Sequence, residues 1–243
     1  MPLFRTSLAI NERVASLDPN NKARQCDLSV AHNKIGDVQS AQGNLAEALA
    51  SYKASHAIFE RLVLADPGNA GWQRDLSVAQ GNIGNVQSAQ GNLAEALASY
   101  SASLAIAGRL ALVDPGNAGW QRDLSVAHNK IGNVQSAQGN LAEALASYKA
   151  SLAIFERLAL ADPGNAGWQR DLALSFGRVA IIEARSGQVD AARIGFSKGH
   201  QIIVRLRDAS LENASLPSDL AWFEAQIAAP GVEAQSLAKQ GRG

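Results

Sequence analysis

Apolar residues recur along this chain at alternating steps of three and four, which is the spacing of one face of an α-helix. In the first half of the central stretch the recurring residues are Trp120, Leu124, Ala127, Ile131 and Val134, and in the second half they are Leu141, Leu145, Tyr148, Leu152 and Phe155. The two halves are separated only by the short turn Gln138-Gly139-Asn140. The pattern predicts two amphipathic helices that run antiparallel.

This helix pair is repeated at a fixed interval. Asp-Pro pairs begin at Asp18, Asp66, Asp114 and Asp162, which lie 48 residues apart, and a fixed period of this size is typical of a stacked array. The outer copies diverge from the inner ones, as the ends of a finite stack must. We predict an N-terminal half-repeat helix (1–17), repeats at 18–65, 66–113 and 114–161, a degenerate repeat (162–210), a capping helix (217–228) and a flexible tail (229–243).

Residues 1–17 match only the second half of the repeat. The chain is therefore either a piece of a longer array or begins on a tolerated half-repeat, and we prefer the second interpretation. Within each copy, Gly139 suits the left-handed position after the first helix. Asn140 with Glu143 predicts a capping box for the second helix, and Asn117 is predicted to cap the first.

Charge and cysteine content indicate the cellular compartment and the classes of partner that are disfavoured, but they do not identify the function. Lysine and arginine number 22 against 22 acidic residues, so no overall field favours nucleic acid or an anionic membrane. Cys26 has no disulfide partner in this sequence, we expect no secretory signal, and we expect that no apolar segment is long enough to span a bilayer. We predict a cytoplasmic protein, for which a sequon at Asn213 carries no meaning.

The central copy resembles the tetratricopeptide repeat (TPR). The matching residues are Ile131-Gly132 for the leucine-glycine pair, Gly139 for the turn, Ala144 for the later alanine and Tyr148 for the aromatic residue. The departures are His128, Gln135 and Glu156, which stand where the family has tryptophan, tyrosine and proline. The likeness covers residues 1–206 and is to a long-helix variant, since each helix is about two turns longer than the family's.

The resemblance implies an all-α, right-handed α-solenoid of antiparallel helix pairs, a TPR-like superhelix whose first helices line a concave groove. The candidate peptide-binding residues that it places there are Asn33, Asp37, Ser40, Gly81, Asn85, Ser88, Asn129, Asn133 and Ser136. Asparagine offers a donor and an acceptor, so such a row could hold an extended peptide backbone. The alternative is that these positions are merely solvated. Lys34 and Lys130 stand beside the row.

Other residues recur once per copy and are predicted to be structural. They are Trp72, Trp120 and Trp168, the helix-interior glycines Gly36, Gly84 and Gly132, and the tyrosines Tyr52, Tyr100 and Tyr148. The tryptophans could form an aromatic ladder for a ligand, but we favour packing, with Trp120 against Leu110 and Leu112. A glycine inside a helix indicates a close approach of two helices.

In the fourth copy, Gly177 and Ile181 stand at candidate groove positions, and Leu174 lies about one turn before them on the same predicted helix. These residues either form an apolar pocket or are covered by the last helix through Leu220, Trp222 and Phe223, and we prefer the second interpretation. No metal-ligand spacing, nucleophile elbow or phosphate-binding loop occurs. We therefore expect no cofactor, no metal and no catalytic residue.

The most consistent hypothesis is a non-catalytic scaffold that binds a protein or peptide in its groove. A structural spacer with weak end-to-end self-association is one alternative. The regulatory arm of a larger multidomain signalling protein is another. Nucleic acid and membrane are not expected as partners, because the chain has no excess of positive charge.

Overall fold

The computed structural model describes residues 2–209 and 215–228. Within these residues the chain forms ten α-helices and no strand, so the predicted all-α fold is confirmed. The sequon at Asn213 and the tail 229–243 fall wholly or partly outside the described residues. The helices are α1 (Pro2–Leu17), α2 (Lys22–Ala41), α3 (Leu45–Ala65), α4 (Ala70–Ala89), α5 (Leu93–Val113), α6 (Ala118–Ala137), α7 (Leu141–Ala161), α8 (Ala166–Arg185), α9 (Val189–Ala209) and α10 (Leu216–Ala228).

The chain divides into two units, which we call unit 1 (Met1–Trp120) and unit 2 (Gln121–Gly243). The division falls inside α6, within the third copy of the repeat. In unit 1, α2 pairs with α3 and α4 pairs with α5, while unit 2 contains the pair α8–α9 with α10 packed on α9. Each pair joins a first helix of a copy to its second helix.

Glycines in the left-handed conformation form the turns within each pair. Gly43, Gly91, Gly139 and Gly187 have φ between 79° and 83°, which strains any other residue. The next amide closes the preceding helix, as when Asn140 N–H donates to the Gln135 carbonyl at 2.9 Å. This arrangement ends the first helix as the sequence predicted.

The N-terminus of the first helix is capped as the sequence predicted, whereas the N-terminus of the second helix is not. The Asn117 side chain accepts from the Trp120 amide at 3.1 Å, so the first helix is capped as predicted. The Asn140 side chain forms no capping hydrogen bond, and the predicted capping box is wrong. The cause is the glycine turn, which holds Asn140 at ψ 69°, whereas the capping residue Asn69 has the more extended ψ of 96°.

Buried hydrogen bonds fix the register of the helices within a pair. In α4–α5 the Ser77 and Ser103 hydroxyl oxygens lie 2.9 Å apart, and the Ser99 hydroxyl donates to Gln87 Oε1 at 2.7 Å. The equivalent serines in the other copies, Ser29 with Ser55 and Ser125 with Ser151, lie 2.7 and 2.6 Å apart. Because buried hydroxyls need partners, a sliding of one helix past the other would leave them unsatisfied.

In the first three copies, a tyrosine of the second helix packs closely against a glycine of the first helix. A Cβ atom added to Gly84 would lie 2.7 Å from Tyr100 Cε1, and the same geometry occurs between Gly36 and Tyr52 and between Gly132 and Tyr148. Tyr100 is only 3% exposed, so its ring has little room to move. Glycine is therefore needed at this position for the helices to approach.

Two matched substitutions in α4 test this packing. Gly84→Ala should lower the free energy of unfolding by about 1–3 kcal/mol, because the added methyl group overlaps the Tyr100 ring. Gly81→Ala should instead raise it by about 1 kcal/mol, because the nearest atom, Ser103 Oγ, lies at an ordinary 3.7 Å and alanine favours the helix. Urea unfolding of both variants measures the difference. Equal effects of the two substitutions on the free energy of unfolding would contradict the close approach of α4 and α5 at Gly84.

The tryptophan environment partly differs from the prediction. Trp72 packs with Ile58, Phe59 and Leu62 of α3, which is consistent with a packing role. Leu112, however, is 80% exposed, so Trp120 does not bury it. The reason is its position in the last turn of α5, beyond the buried face that ends with Leu110 and Ala111.

Helix α5 also departs from the sequence expectation. By length and composition this helix could cross a membrane, contrary to the sequence expectation that no segment was long enough. The cause is the loss of two charges: Ser101 and Gly108 stand where α7 has Lys149 and Glu156. In unit 1 the helix pairs with α4 through Ser103 and Tyr100. The core helix of a helical array also meets the same criterion.

Candidate functional site

The candidate groove residues lie on the exposed face of the first helices, in three sets. We call each unit's share of these nine positions its first-helix surface; unit 1 carries Asn33, Asp37 and Ser40 on α2 and Gly81, Asn85 and Ser88 on α4, and unit 2 carries Asn129, Asn133 and Ser136 on α6. Within each helix the three residues are about one turn apart and share a face. The most exposed member of each set is the middle one.

That middle residue is held by the tyrosine of the second helix. The Tyr100 hydroxyl donates to Asn85 Oδ1 at 2.9 Å, and the Tyr148 hydroxyl donates to Asn133 Oδ1 at 2.6 Å. Tyr52 donates in the same way to Asp37 at 2.9 Å. Burial raises the pKa of Tyr100 and of Tyr148 to about 12, so both hydroxyls stay protonated and remain donors. This link was not anticipated from the sequence.

The tyrosine bond leaves the asparagine donors available. The Nδ2 groups of Asn85 and Asn133 have no hydrogen-bond partner within residues 2–209 and 215–228, and both side chains are exposed. Each amide therefore presents two N–H donors from a side chain whose oxygen is fixed. Asp37 cannot do this, because an ionised carboxylate only accepts.

The first residue of each set, which is Asn33, Gly81 or Asn129, offers fewer accessible polar groups than the sequence suggested. Asn33 and Asn129 are half-buried, and their Oδ1 atoms are fully buried without a partner among the described residues. An unsatisfied buried acceptor costs about 1–3 kcal/mol. Gly81 stands at the equivalent position in α4 and has no side chain to offer. The three middle residues, rather than these three, carry the accessible polar groups.

Unit 2 carries basic side chains beside its part of this surface. Arg185 at the end of α8 donates to the Ser136 hydroxyl and, at 3.3 Å, to the Ser136 carbonyl. Burial and the nearby charge of Arg178 lower the pKa of Lys130. Sequence reasoning missed Arg178 and Arg185. A comparison of the copies could have found Arg185, because alanine stands at the equivalent positions Ala41, Ala89 and Ala137.

The fourth copy is closed by the chain itself. Leu174 and Ile181 belong to the same apolar cluster as Trp222 and Phe223 of α10. A Cβ atom on Gly177 would lie 2.9 Å from the Trp222 ring. The structure thus favours the covered alternative over an open apolar pocket at these residues.

Other chemistry-bearing side chains are packed or dispersed. Cys26 contacts the apolar cluster around Phe59, and burial, with Asp75 and Asp27 nearby, raises the pKa of its thiol, which disfavours the reactive thiolate. Burial lowers the pKa of His32 and of His128. No group of three or more potential metal ligands occurs in the described part of the chain. An open cleft of about 320 Å³ lies between α1 and α2, lined in part by Asn11, Val30 and Lys34.

The fold is an all-α solenoid built from antiparallel helix pairs. The chain is similar to the crystal structure of BtubC (BKLC) from P. vanneervenii, with a TM-score of 0.70 and 15% identity over 99% of this chain and 87% of that one. It is similar to the apo form of RapI, with a TM-score of 0.66 and 14% identity over 97% of this chain and 73% of that one. MamA gives a TM-score of 0.50 and 17% identity over 83% and 90%.

These three likenesses are to TPR-like helical-repeat structures, and at such low identity they show the fold alone. No family model matches the chain, and no curated protein sequence matches it. Membership of the TPR family therefore remains a resemblance.

Proposed function

We propose that this protein is a non-catalytic scaffold whose units each bind a protein or peptide segment on their own first-helix surface. The observation that carries the proposal is the pair of exposed amides, Asn85 in unit 1 and Asn133 in unit 2, each held by a buried tyrosine. The TPR-like fold supports a general protein-binding role. A partner backbone supplies carbonyl oxygens, which are the acceptors that these amides lack.

The tyrosine bond gives the amides a physical advantage. An exposed asparagine normally loses rotamer freedom when it binds, and that loss reduces affinity. Here the bond from Tyr100 to Asn85 already fixes the side chain, and Tyr100 is itself buried between two helices. Less conformational entropy is then lost when a backbone carbonyl accepts from Nδ2. The contact is independent of the partner's side chains, so specificity has to come from other residues.

The substitutions Asn85→Asp and Asn133→Asp test the role of the amides with little disturbance of the fold. Aspartate keeps the acceptor for the tyrosine, as Asp37 does for Tyr52, but removes the two N–H donors. We expect the double variant to bind its partner about tenfold more weakly, as the loss of two hydrogen bonds implies. Partners retained from an extract of the source cell on the immobilised chain, and then titrated against the variants, provide the measurement.

The matched control is the double variant Asn92→Asp and Asn140→Asp. It makes the same chemical change in the turns of two copies, where neither asparagine side chain forms a capping bond. Retention should be unchanged by the control and reduced by the test variant. If both variants retain the partner equally well, the first-helix surface is not the binding site.

A further inference from the structure

One face of α1, in unit 1, carries exposed aliphatic side chains. Ile10, Val14 and Leu17 are 57%, 37% and 76% exposed, and Ser7 before them is exposed as well. The four residues follow one another at steps of three, four and three, so they share one face of the helix. We call Ser7, Ile10, Val14 and Leu17 the α1 seam. The helix itself is anchored, because α1 packs on α2 and its Ala15 is buried.

The full copies of the repeat bury the first three positions of this seam. On α3, 48 residues later, the same positions are Ser55, Ile58 and Leu62, and all three are buried. The corresponding residues on α5 and α7 are also buried, and they are Ser103, Ile106, Leu110, Ser151, Ile154 and Leu158. On α1 these positions keep the composition of a helix-packing face, but they are open.

In unit 1 the cover over these positions on α3 includes the first helix of the same copy. The Ser55 hydroxyl lies 2.7 Å from the Ser29 hydroxyl on α2, and Ile58 and Leu62 share an apolar cluster with Leu28 of α2. By sequence, α1 corresponds to a second helix, and none of the helices in residues 2–209 and 215–228 covers its seam. The face that α2 covers on α3 is therefore open on α1.

The spacing of the seam matches a second copy of itself. Steps of three and four average 3.5 residues, which is the period at which two helices wind around each other as a coiled coil. In that scheme Ser7 and Val14 take the a positions, and Ile10 and Leu17 take the d positions. A β-branched residue at a, with leucine at d, favours a pair of parallel helices. The polar residue of the seam, Ser7, would fix the register of such a pair.

Hydroxyl pairing also favours parallel helices. Each seam residue then lies against its own equivalent, so the two Ser7 hydroxyls face each other, as those of Ser29 and Ser55 do between α2 and α3. In an antiparallel pair, a residues pack against d residues, and Ser7 would lie against Leu17 of the second copy. A hydroxyl that is buried without a hydrogen-bond partner is costly.

The charges beside the seam agree with the parallel orientation. Arg13 precedes Val14 at a g position, and Asp18, the residue after α1, stands at an e position. Parallel helices bring a g residue of one helix to the e residue five positions later on the other, where ion pairs set partner choice and orientation. Arg13 of each copy would thus lie beside Asp18 of the other. Since the chain has no formal net charge, no overall repulsion opposes the approach of two copies.

We propose that two copies of this chain associate through their α1 seams, as a pair of parallel helices related by a two-fold axis. The contact involves one helix of unit 1 in each copy and no residue of the first-helix surface, so it is independent of the proposed function. One helix per copy buries less than the roughly 1,600 Å² of a typical stable interface. We therefore expect a weak dimer, with a dissociation constant of about 10–100 μM.

Sedimentation equilibrium of the full chain between about 1 and 500 μM tests the dimer. The parent chain should change from monomer to mainly dimer across this range. The variant Ile10→Gln with Leu17→Gln should dimerise about tenfold more weakly or worse, because it removes exposed aliphatic surface from the seam. The control is Leu64→Gln with Leu112→Gln, which removes two exposed leucines from the ends of α3 and α5 and should dimerise as the parent does.

Two results would overturn the contact. One is a parent chain that stays monomeric at about 500 μM, which would leave the seam to a different partner or to solvent. The other is an association that the test variant and the control retain, or lose, to the same extent. Circular dichroism checks that both variants keep the helix content of the parent, as substitutions of exposed side chains should.

Two further measurements test the parallel orientation. Arg13→Glu should weaken the dimer, and adding Asp18→Arg should restore it, because the two charges are then exchanged. In a Cys26→Ser background, Ile10→Cys should give a higher yield of disulfide-linked dimer with oxidised glutathione than Leu64→Cys does, since parallel helices place the two introduced thiols together. A missing rescue, or a yield no higher than that of the Leu64→Cys control, would overturn the parallel arrangement.

Discussion

Replacing Phe223 with alanine is expected to lower the free energy of unfolding of unit 2 by about 3–5 kcal/mol. The Phe223 side chain is fully buried, and it fills the space left by Gly199, where an added Cβ would lie 2.4 Å from its ring. Its ring also meets Trp222 edge-on at a centroid distance of 4.8 Å. Truncation would therefore leave a cavity between α9 and α10 that these close-packed helices cannot readily fill.

Urea unfolding followed by circular dichroism measures the effect. Ala225→Ser, an exposed change on the same helix, is the control and should shift the free energy by no more than about 0.5 kcal/mol. Hydrogen exchange should show faster exchange in α8 and α9 for the Phe223 variant, because α10 covers Leu174 and Ile181. A stability equal to that of the control would mean that α10 does not close this end of unit 2.

The packing position of the capping helix α10 could be predicted from the sequence, because the composition of the fourth copy and the repeat period both point to it. Ile181 stands where the earlier copies have Asp37, Asn85 and Asn133, and Trp222 and Phe223 follow within one period. An apolar substitution in one copy, followed by an apolar helix, indicates that the two pack together. Gly199 stands where the other copies have a buried serine. The period alone could not reveal that the missing side chain leaves space for Phe223.

The candidate site was less predictable, for a physical reason. Helical periodicity assigns a residue to a face, but the neighbour that a side chain meets on the next helix depends on its rotamer and on helix packing. Asn85 and Asn133 could be placed on a face, whereas their bonds to Tyr100 and Tyr148 could not. The electrostatic influence of Arg178 on Lys130 spans two copies, so no pattern within one repeat predicts it.

The failed capping prediction at Asn140 has a related cause. Sequence spacing matched Asn140 with Glu143, but the preceding Gly139 at φ 83° sets the backbone of Asn140 before its side chain can act. Two local signals competed for one residue, and the glycine turn determined the outcome. Asn117 also follows a glycine, but Gly116 does not have a positive φ, and Asn117 caps its helix as expected.

Phe59 and Trp72 form the second packing element whose loss should be large. Phe59 is fully buried on α3, and Trp72 at the start of α4 packs on the same cluster with Leu62. Lys22 also lies over the Trp72 ring, 5.5 Å from its centroid. We expect Phe59→Ala to lower the free energy of unfolding by about 3–5 kcal/mol, and Trp72→Ala, which is only half-buried, by about 3 kcal/mol.

The double variant discriminates between packing and an exposed aromatic ladder. Since Phe59 and Trp72 belong to one cluster, the combined loss should differ from the sum of the single losses by about 0.5–3 kcal/mol. Leu64→Ala is the control, because Leu64 lies on the same helix as Phe59 but is 75% exposed and should cost no more than about 0.5 kcal/mol. A Trp72→Ala variant as stable as the control would show that this tryptophan does not hold α3 to α4. The contact of α3 with α4 would then depend on the other residues of the cluster, such as Phe59 and Leu62, and Trp72 would be available to a ligand.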